Sequence, residues 1–183
     1  MYTLKKVLLF IVFVTSYFAI VMCCNDREEP SPDIVGTFTW TEWQKKSGWK
    51  DHSASDYVPD SNCVQALSNL INGVNCIIRF EIYASNWCHA DCEPQLPRMI
   101  KFLKAAGTNV DDIIIYGINR TKTEPVAVME KWKNNFPEDN CYLPTLVIYI
   151  SDNVSKVKCE TDDYPDWQCK ITAEVANILL ESE

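Results

Sequence analysis

The chain has 183 residues, 47% of them hydrophobic, and carries 17 Lys and Arg against 25 Asp and Glu, a net charge of −8. That size and apolar content suit one folded domain with a single core. The acidic balance leaves no basic stripe to neutralise phosphates, so nucleic acid is excluded as the expected partner.

Lys5 and Lys6 precede an apolar run from Val7 to Met22, followed by Cys23, Cys24 and the polar stretch Asn25-Asp26-Arg27-Glu28-Glu29. A basic start, a hydrophobic centre and an abrupt polar edge predict a signal peptide over residues 1–23. The run is short for a membrane span of roughly 20 residues, and an uncleaved anchor is the alternative. Its end resembles a bacterial lipoprotein processing site, with Cys24 or Cys23 as the lipid-bearing residue; a secreted, lipid-free product is the other option. Residues 24–36 contain Pro30 and Pro32 among acidic residues and are expected to be a polar tether. The domain proper is expected over 37–183, exported to the cell envelope, periplasm or outer surface, and held to the membrane by the lipid.

Nine cysteines behind an export signal point to an oxidising compartment. Cys63, Cys76, Cys88, Cys92, Cys141, Cys159 and Cys169 lie within the domain. Their pairing stays open, with Cys63 to Cys76 and Cys159 to Cys169 as short-loop options that leave Cys141 free.

In chain order, the region from Thr37 to Asp56 contains Trp40, Trp43 and Trp49 and shows no period that places it; Trp40 and Trp43 are expected to cap a core. Ser61 can cap a helix through Ile71, with Val64, Leu67, Leu70 and Ile71 on one face and Asn72-Gly73 as its stop. Cys76 to Ala84, rich in β-branched and aromatic residues, predicts a central strand. Arg79 and Glu81 share one face of it and can pair; the functional alternative makes Glu81 a buried acid that takes a proton from a nearby cysteine.

Trp87-Cys88-His89-Ala90-Asp91-Cys92 then falls at a strand-to-helix junction. The free amides and positive end of a helix N-terminus stabilise a thiolate, the species that attacks disulfides and binds metals. Leu96, Met99, Ile100, Leu103 and Ala106 form the stripe of the following helix, which Gly107 ends. Pro94 fits its first turn, while Pro97 lies inside and should kink it.

Asp112 to Gly117 predicts a second interior strand, Pro125 to Asn135 a helix with Val126, Met129 and Trp132 inward, and Leu143 to Ile150 a third strand that begins beside Pro144. A proline there suits a strand start and can adopt a cis peptide. Val154 to Lys158 reads as a weak fourth strand. The loop from Cys159 to Cys169 is expected to be a structured insert whose Asp162, Asp163 and Asp166 are solvated rather than arranged for a cation. Ile171, Val175, Ile178 and Leu179 mark a closing helix. This order predicts an α/β domain, a mixed central sheet flanked by helices.

Trp87-Cys88 with Cys92, Pro97 in the helix and Leu143-Pro144-Thr145 before an apolar strand resemble the thioredoxin superfamily. Leu96-Pro97-Arg98, Ile115-Tyr116-Gly117-Ile118-Asn119-Arg120 and Thr123-Glu124-Pro125 narrow the resemblance to exported bacterial thioredoxin-like proteins, over residues 57–182. The resemblance implies a thioredoxin-like three-layer sandwich. It further implies Cys88 as the nucleophile, Cys92 as the resolving thiol, Pro144 as a cis proline facing the cysteines, Trp87 as the flanking aromatic and Glu81 as the buried acid. The implied activity is thiol-disulfide oxidoreduction on protein thiols and disulfides, without a cofactor.

The chain departs from the family's Cys-x-x-Cys by one extra residue. Side chains four apart on a helix have Cβ atoms about 5–6 Å apart, whereas a disulfide needs roughly 3.5–4.5 Å. Cys88 must therefore lie in the loop and bend inward to bridge. A protonated His89 would favour the Cys88 thiolate and Asp91 would oppose it. Cys-x-x-x-Cys also resembles the Sco copper chaperones, which makes a copper site of Cys88, Cys92 and His89 the alternative. The only other histidine is His52, and neither follows the third strand, where that family supplies its ligand. A non-enzymatic binding domain of the same fold is the third reading.

Overall fold

Thr39-Trp40-Thr41-Glu42 closes a reciprocal cap: the Thr39 side chain accepts from the Glu42 amide, and the Glu42 carboxylate accepts from the Thr39 amide at 2.9 Å. This starts helix α1, Trp40–Ser47, which ends at Gly48 with φ of 73°. A three-residue strand, β1 (Gly36–Phe38), precedes it. The unplaced tryptophan region is therefore a strand and a helix, and Trp40, Trp43 and Trp49 are buried in the core. The computed structural model describes residues 32–49, 55–159 and 166–181. The described residues from Asp33 onward form one compact unit. The expected signal peptide, Cys23, Cys24, His52, Asp162 and Asp163 lie outside the described residues.

The remaining elements are α2 (Ser61–Gly73), β2 (Ile78–Ala84), α3 (Cys92–Ala105), a 3-10 turn at Val110–Asp112, β3 (Ile114–Gly117), α4 (Val126–Asn135), β4 (Thr145–Ile150), β5 (Asn153–Lys158) and α5 (Trp167–Glu181). The cap of α2 is Asp60 rather than Ser61, because its carboxylate accepts from the amides of Asn62 and Cys63. A carboxylate also complements the positive end of the helix. Residues 76 and 77 stay outside β2, and Ile77 is exposed.

The five strands form one mixed sheet in the order β1-β3-β2-β4-β5. β2 runs parallel to β3, and the other pairs are antiparallel. Register sets which residues share a face. Tyr83 lies opposite Tyr116 and Thr145, and packs edge-on against Trp132 of α4. Ile82 lies opposite Ile115 and Leu146 on the other face, where Ser155 of β5 donates to Glu174 of α5. Helices thus cover both faces of an α/β sheet, which is why β2 and β4 read as nearly unbroken apolar runs.

Three long-range ties complete the frame. Cys63 in the first turn of α2 is bonded to Cys169 in the first turn of α5, with Cα atoms 5.1 Å apart. This replaces both short-loop pairings, because the two helix starts pack side by side. Asp33 pairs with Arg120 at 3.0 Å, and the Ile34 amide donates to the Asn86 side chain at 2.8 Å. The last residues of the expected tether are therefore docked on the sheet. Gly117 permits that approach, since a Cβ there would sit 2.2 Å from the Ile34 carbonyl oxygen.

Candidate functional site

β2 delivers the chain to Ser85 and Asn86, both buried, then to half-buried Trp87 and Cys88. Ser85-Asn86 ends the apolar run, and the two polar residues are held by what they touch. Asn86 accepts from Ile34, and the Ser85 hydroxyl lies 3.8 Å from Cys92 Sγ. Trp87 donates its indole N–H to the Ile118 carbonyl at 3.1 Å. That carbonyl opens the loop after β3, whose Ile118 amide in turn bonds Ala84 at 2.9 Å.

Cys88 to Asp91 form a turn in front of α3, and the Cys92 amide donates to the Cys88 carbonyl at 2.9 Å. Cys92 begins α3 fully buried. Pro94 occupies the first turn, where its missing N–H costs nothing, and Pro97 sits inside the helix. Cys88 Sγ lies 3.6 Å from the Leu143 carbonyl oxygen and 3.9 Å from Asp91 Oδ2. The loop before β4 thus faces the outer thiol. Its Leu143–Pro144 peptide is cis, and Pro144 accepts a hydrogen bond from the Cys159 amide at 3.1 Å.

The two thiols are pushed in opposite directions. A hydrogen bond from the Cys92 thiol lowers the Cys88 pKa to about 6; the amides of Cys92 and Asp91 add to this, while partial burial and the Asp91 charge oppose it. Burial raises Cys92 well above its ordinary value, reinforced by the hydrogen bond to Cys88 and by the Cys88 charge, with Ser85 opposing. The outer sulfur is the easily formed thiolate and the inner one a protonated reserve. Both are free, as are Cys76, Cys141 and Cys159 among the described residues.

His89 is exposed and bonds Glu93 one turn on, at 3.1 Å. The groups that depress Cys88 are therefore Cys92 and backbone amides, not the imidazole. For a copper set, Cys88, Cys92 and His89 do not converge among the described residues; the group that does, Asp60 with Cys63 and Cys169, has both sulfurs joined in the disulfide.

Glu81 is 1% exposed. Its carboxylate pairs with Arg79 at 3.2 Å, as expected, and with Lys131 of α4 at 2.6 Å. Burial raises the Tyr116 pKa to about 12, and the Glu81 charge adds to this. The structure thus joins this acid to Arg79 and Lys131, and the leading influences on the two thiols are each other, burial, Asp91, Ser85 and backbone amides. Ser85, Asn86, Lys131 and the Leu143 carbonyl were not singled out from sequence. For the first two the available signal was a polar pair cutting short an apolar strand.

No protein-family model matches the chain, and no curated protein is similar to it. Among solved structures, the chain is similar to a crystal structure of a protein of unknown function from Pseudomonas aeruginosa, with 13% identity and a TM-score of 0.46, covering 80% of this chain and 88% of that one.

Proposed function

We propose that this chain is a thiol-disulfide oxidoreductase of thioredoxin-like topology that acts on protein disulfides through Cys88 and Cys92. The observation that carries the reading is the asymmetry of the pair: a half-buried thiol lowered to about 6 beside a buried thiol raised well above its ordinary value. A nucleophile needs the first property and a resolving thiol the second. The thioredoxin-like topology is supported by a dithiol between β2 and α3, by Pro97 within α3, and by the Leu143 carbonyl facing Cys88 from the loop that holds Pro144.

The reaction follows from these positions. The Cys88 thiolate attacks one sulfur of a target disulfide; that S–S bond breaks and a mixed disulfide forms, releasing a target thiolate. The released thiolate is a base for the Cys92 thiol, which is too high in pKa to ionise unaided. Cys92 then attacks the Cys88 sulfur, closing a Cys88–Cys92 disulfide and freeing the second target thiol. Two electrons pass from the dithiol to the target, and an external dithiol restores the reduced state. Trp87, fixed through its hydrogen bond to Ile118, is the aromatic that this reading sets beside Cys88.

Export and a lipid anchor at Cys24 or Cys23 belong to the same proposal and rest on the sequence of the first residues. No helix among the described residues is long and apolar enough to cross a membrane. Insulin reduction with dithiothreitol as electron donor tests the activity. Wild-type turnover should exceed that of Cys88→Ser; equal turnover would overturn the proposal in favour of a binding domain.

A further inference from the structure

Next along the chain from the carbonyl that meets the outer thiol lies a concentration of positive charge that no carboxylate among the described residues pairs with. Tyr142, 39% exposed, immediately precedes the Leu143 whose carbonyl meets Cys88 Sγ. Lys158 Nζ stands 3.5 Å from the centre of the Tyr142 ring and Lys122 Nζ 5.7 Å from it. Cation-π attraction holds both ammonium groups at that ring. Among the described residues neither lysine has a carboxylate partner, whereas neighbouring Lys156 is paired with Asp139. Burial lowers the Lys156 pKa and the Lys158 charge adds to the effect, as expected where positive charge accumulates.

The position of Lys122 is built rather than incidental. Its φ is 55°, a left-handed conformation uncommon for a lysine. The loop around it is fixed by Asn119, whose side-chain oxygen accepts from the amides of Thr123 at 2.8 Å and Glu124 at 3.1 Å. The Lys122 amide bonds the Asn119 carbonyl at 3.0 Å. The same loop begins at Ile118, which holds the Trp87 indole. Trp87, Cys88, the Leu143 carbonyl, Tyr142, Lys122 and Lys158 therefore belong to one rim.

Resting on the oxidoreductase reading, we infer that this rim selects substrates whose target cysteine is flanked by acidic residues, with Lys122 and Lys158 receiving the carboxylates over the Tyr142 ring. A chain whose sulfur meets Cys88 must pass Leu143 and Tyr142. At about 3.3–3.6 Å per extended residue, side chains two to three positions from the cysteine lie about 7–11 Å along that path, and these are the ones assigned to the two ammonium groups. Two cations on one aromatic surface, without a carboxylate partner among the described residues, match carboxylates. Since the chain itself carries net charge −8, they also offset the general repulsion an acidic substrate would meet.

The test uses the full chain with its dithiol reduced and two peptides of one sequence. Each presents its single cysteine as a 2-thiopyridyl mixed disulfide, with either Glu or Gln two and three positions from the cysteine. Cys88 attacks the peptide sulfur and thiopyridone leaves with the electron pair; Cys92 then displaces the peptide thiol. The Glu peptide should release thiopyridone about three- to tenfold faster at low ionic strength, an advantage that shrinks as salt screens the pairs. The Glu to Gln ratio should fall to about one in Lys122→Gln/Lys158→Gln and persist in Lys122→Arg/Lys158→Arg. Equal rates for the two peptides, with release that Cys88→Ser abolishes, would overturn this inference and leave the oxidoreductase reading standing. A preference that survives in the double Gln variant would also overturn it. Release independent of Cys88 would remove both.

Discussion

The amide of Cys92 donates to the carbonyl of Cys88 at 2.9 Å, so His89, Ala90 and Asp91 occupy one α-turn laid in front of α3. The turn absorbs the extra residue of Cys-x-x-x-Cys. It carries the Cys88 sulfur outward to the Leu143 carbonyl while Cys92 points into the core beside Ser85. The buried Cys92 sulfur thus loses solvation while the outer Cys88 sulfur receives a hydrogen bond from the Cys92 thiol, and that asymmetry, more than the spacing, drives their pKa values apart.

Iodoacetamide should therefore trap Cys88 with a rate that rises through a midpoint near pH 6. The sign follows from a lowered pKa: the reactive thiolate is present above the midpoint and lost as pH falls through it. Because the Cys92 thiol is the largest cause, Cys92→Ala should move the midpoint upward toward the ordinary 9.0. Mass-resolved alkylation across pH reads both effects. A midpoint unchanged in Cys92→Ala would show that the backbone amides alone hold the thiolate.

Sequence made the dithiol, Pro97 in α3 and strands β2 to β4 legible because each depends on local period or local punctuation. β1 has only three residues, and what defines it is pairing with β3, nearly eighty positions on. Helix α1 was nonetheless announced by Thr39 and Glu42, a capping pair that the absence of an apolar period overshadowed. Lys131 and Cys169 could not be assigned to Glu81 and Cys63 from spacing, since their meeting depends on how α4 and α5 pack.

Glu81 should be a stability residue before it is anything else. Glu81→Ala leaves the Lys131 ammonium facing Tyr116 and Tyr149 without its carboxylate. Breaking an enclosed pair costs roughly 3–5 kcal/mol; with Lys131 34% exposed, the expected loss is smaller, about 2–3 kcal/mol. Urea unfolding of Glu81→Ala, Lys131→Met and the double variant measures the coupling. The Cys88 alkylation midpoint should stay near 6, because its leading causes are the Cys92 thiol, burial, backbone amides and Asp91.

Gly117→Ala should loosen the N-terminal edge of the sheet. The new methyl would stand 2.2 Å from the Ile34 carbonyl oxygen and 3.0 Å from the Trp43 ring, and forced overpacking costs about 1–3 kcal/mol. The chain can relieve the clash by releasing residues 33–38. Hydrogen exchange should then accelerate in β1 and at the Ile34 amide more than in β4. Uniform exchange across both would place the damage in the core instead.

The Cys63–Cys169 disulfide spans 106 residues, and a cross-link over a long loop removes much of the freedom of the unfolded chain. Cys63→Ala/Cys169→Ala should lose about 2–4 kcal/mol of stability in denaturant unfolding. It ties α2 to α5, whereas the dithiol hangs between β2 and α3 under the Leu143 loop. The double variant should therefore keep the Cys88 midpoint near 6 and, below its unfolding transition, keep whatever Cys88-dependent reduction of insulin the proposed activity gives the wild type. If the midpoint moved with the staple, the helix starts and the dithiol would be one coupled unit, and dithiothreitol in the activity assay would be acting on both. A stability loss without a midpoint shift separates the structural disulfide from the reacting pair.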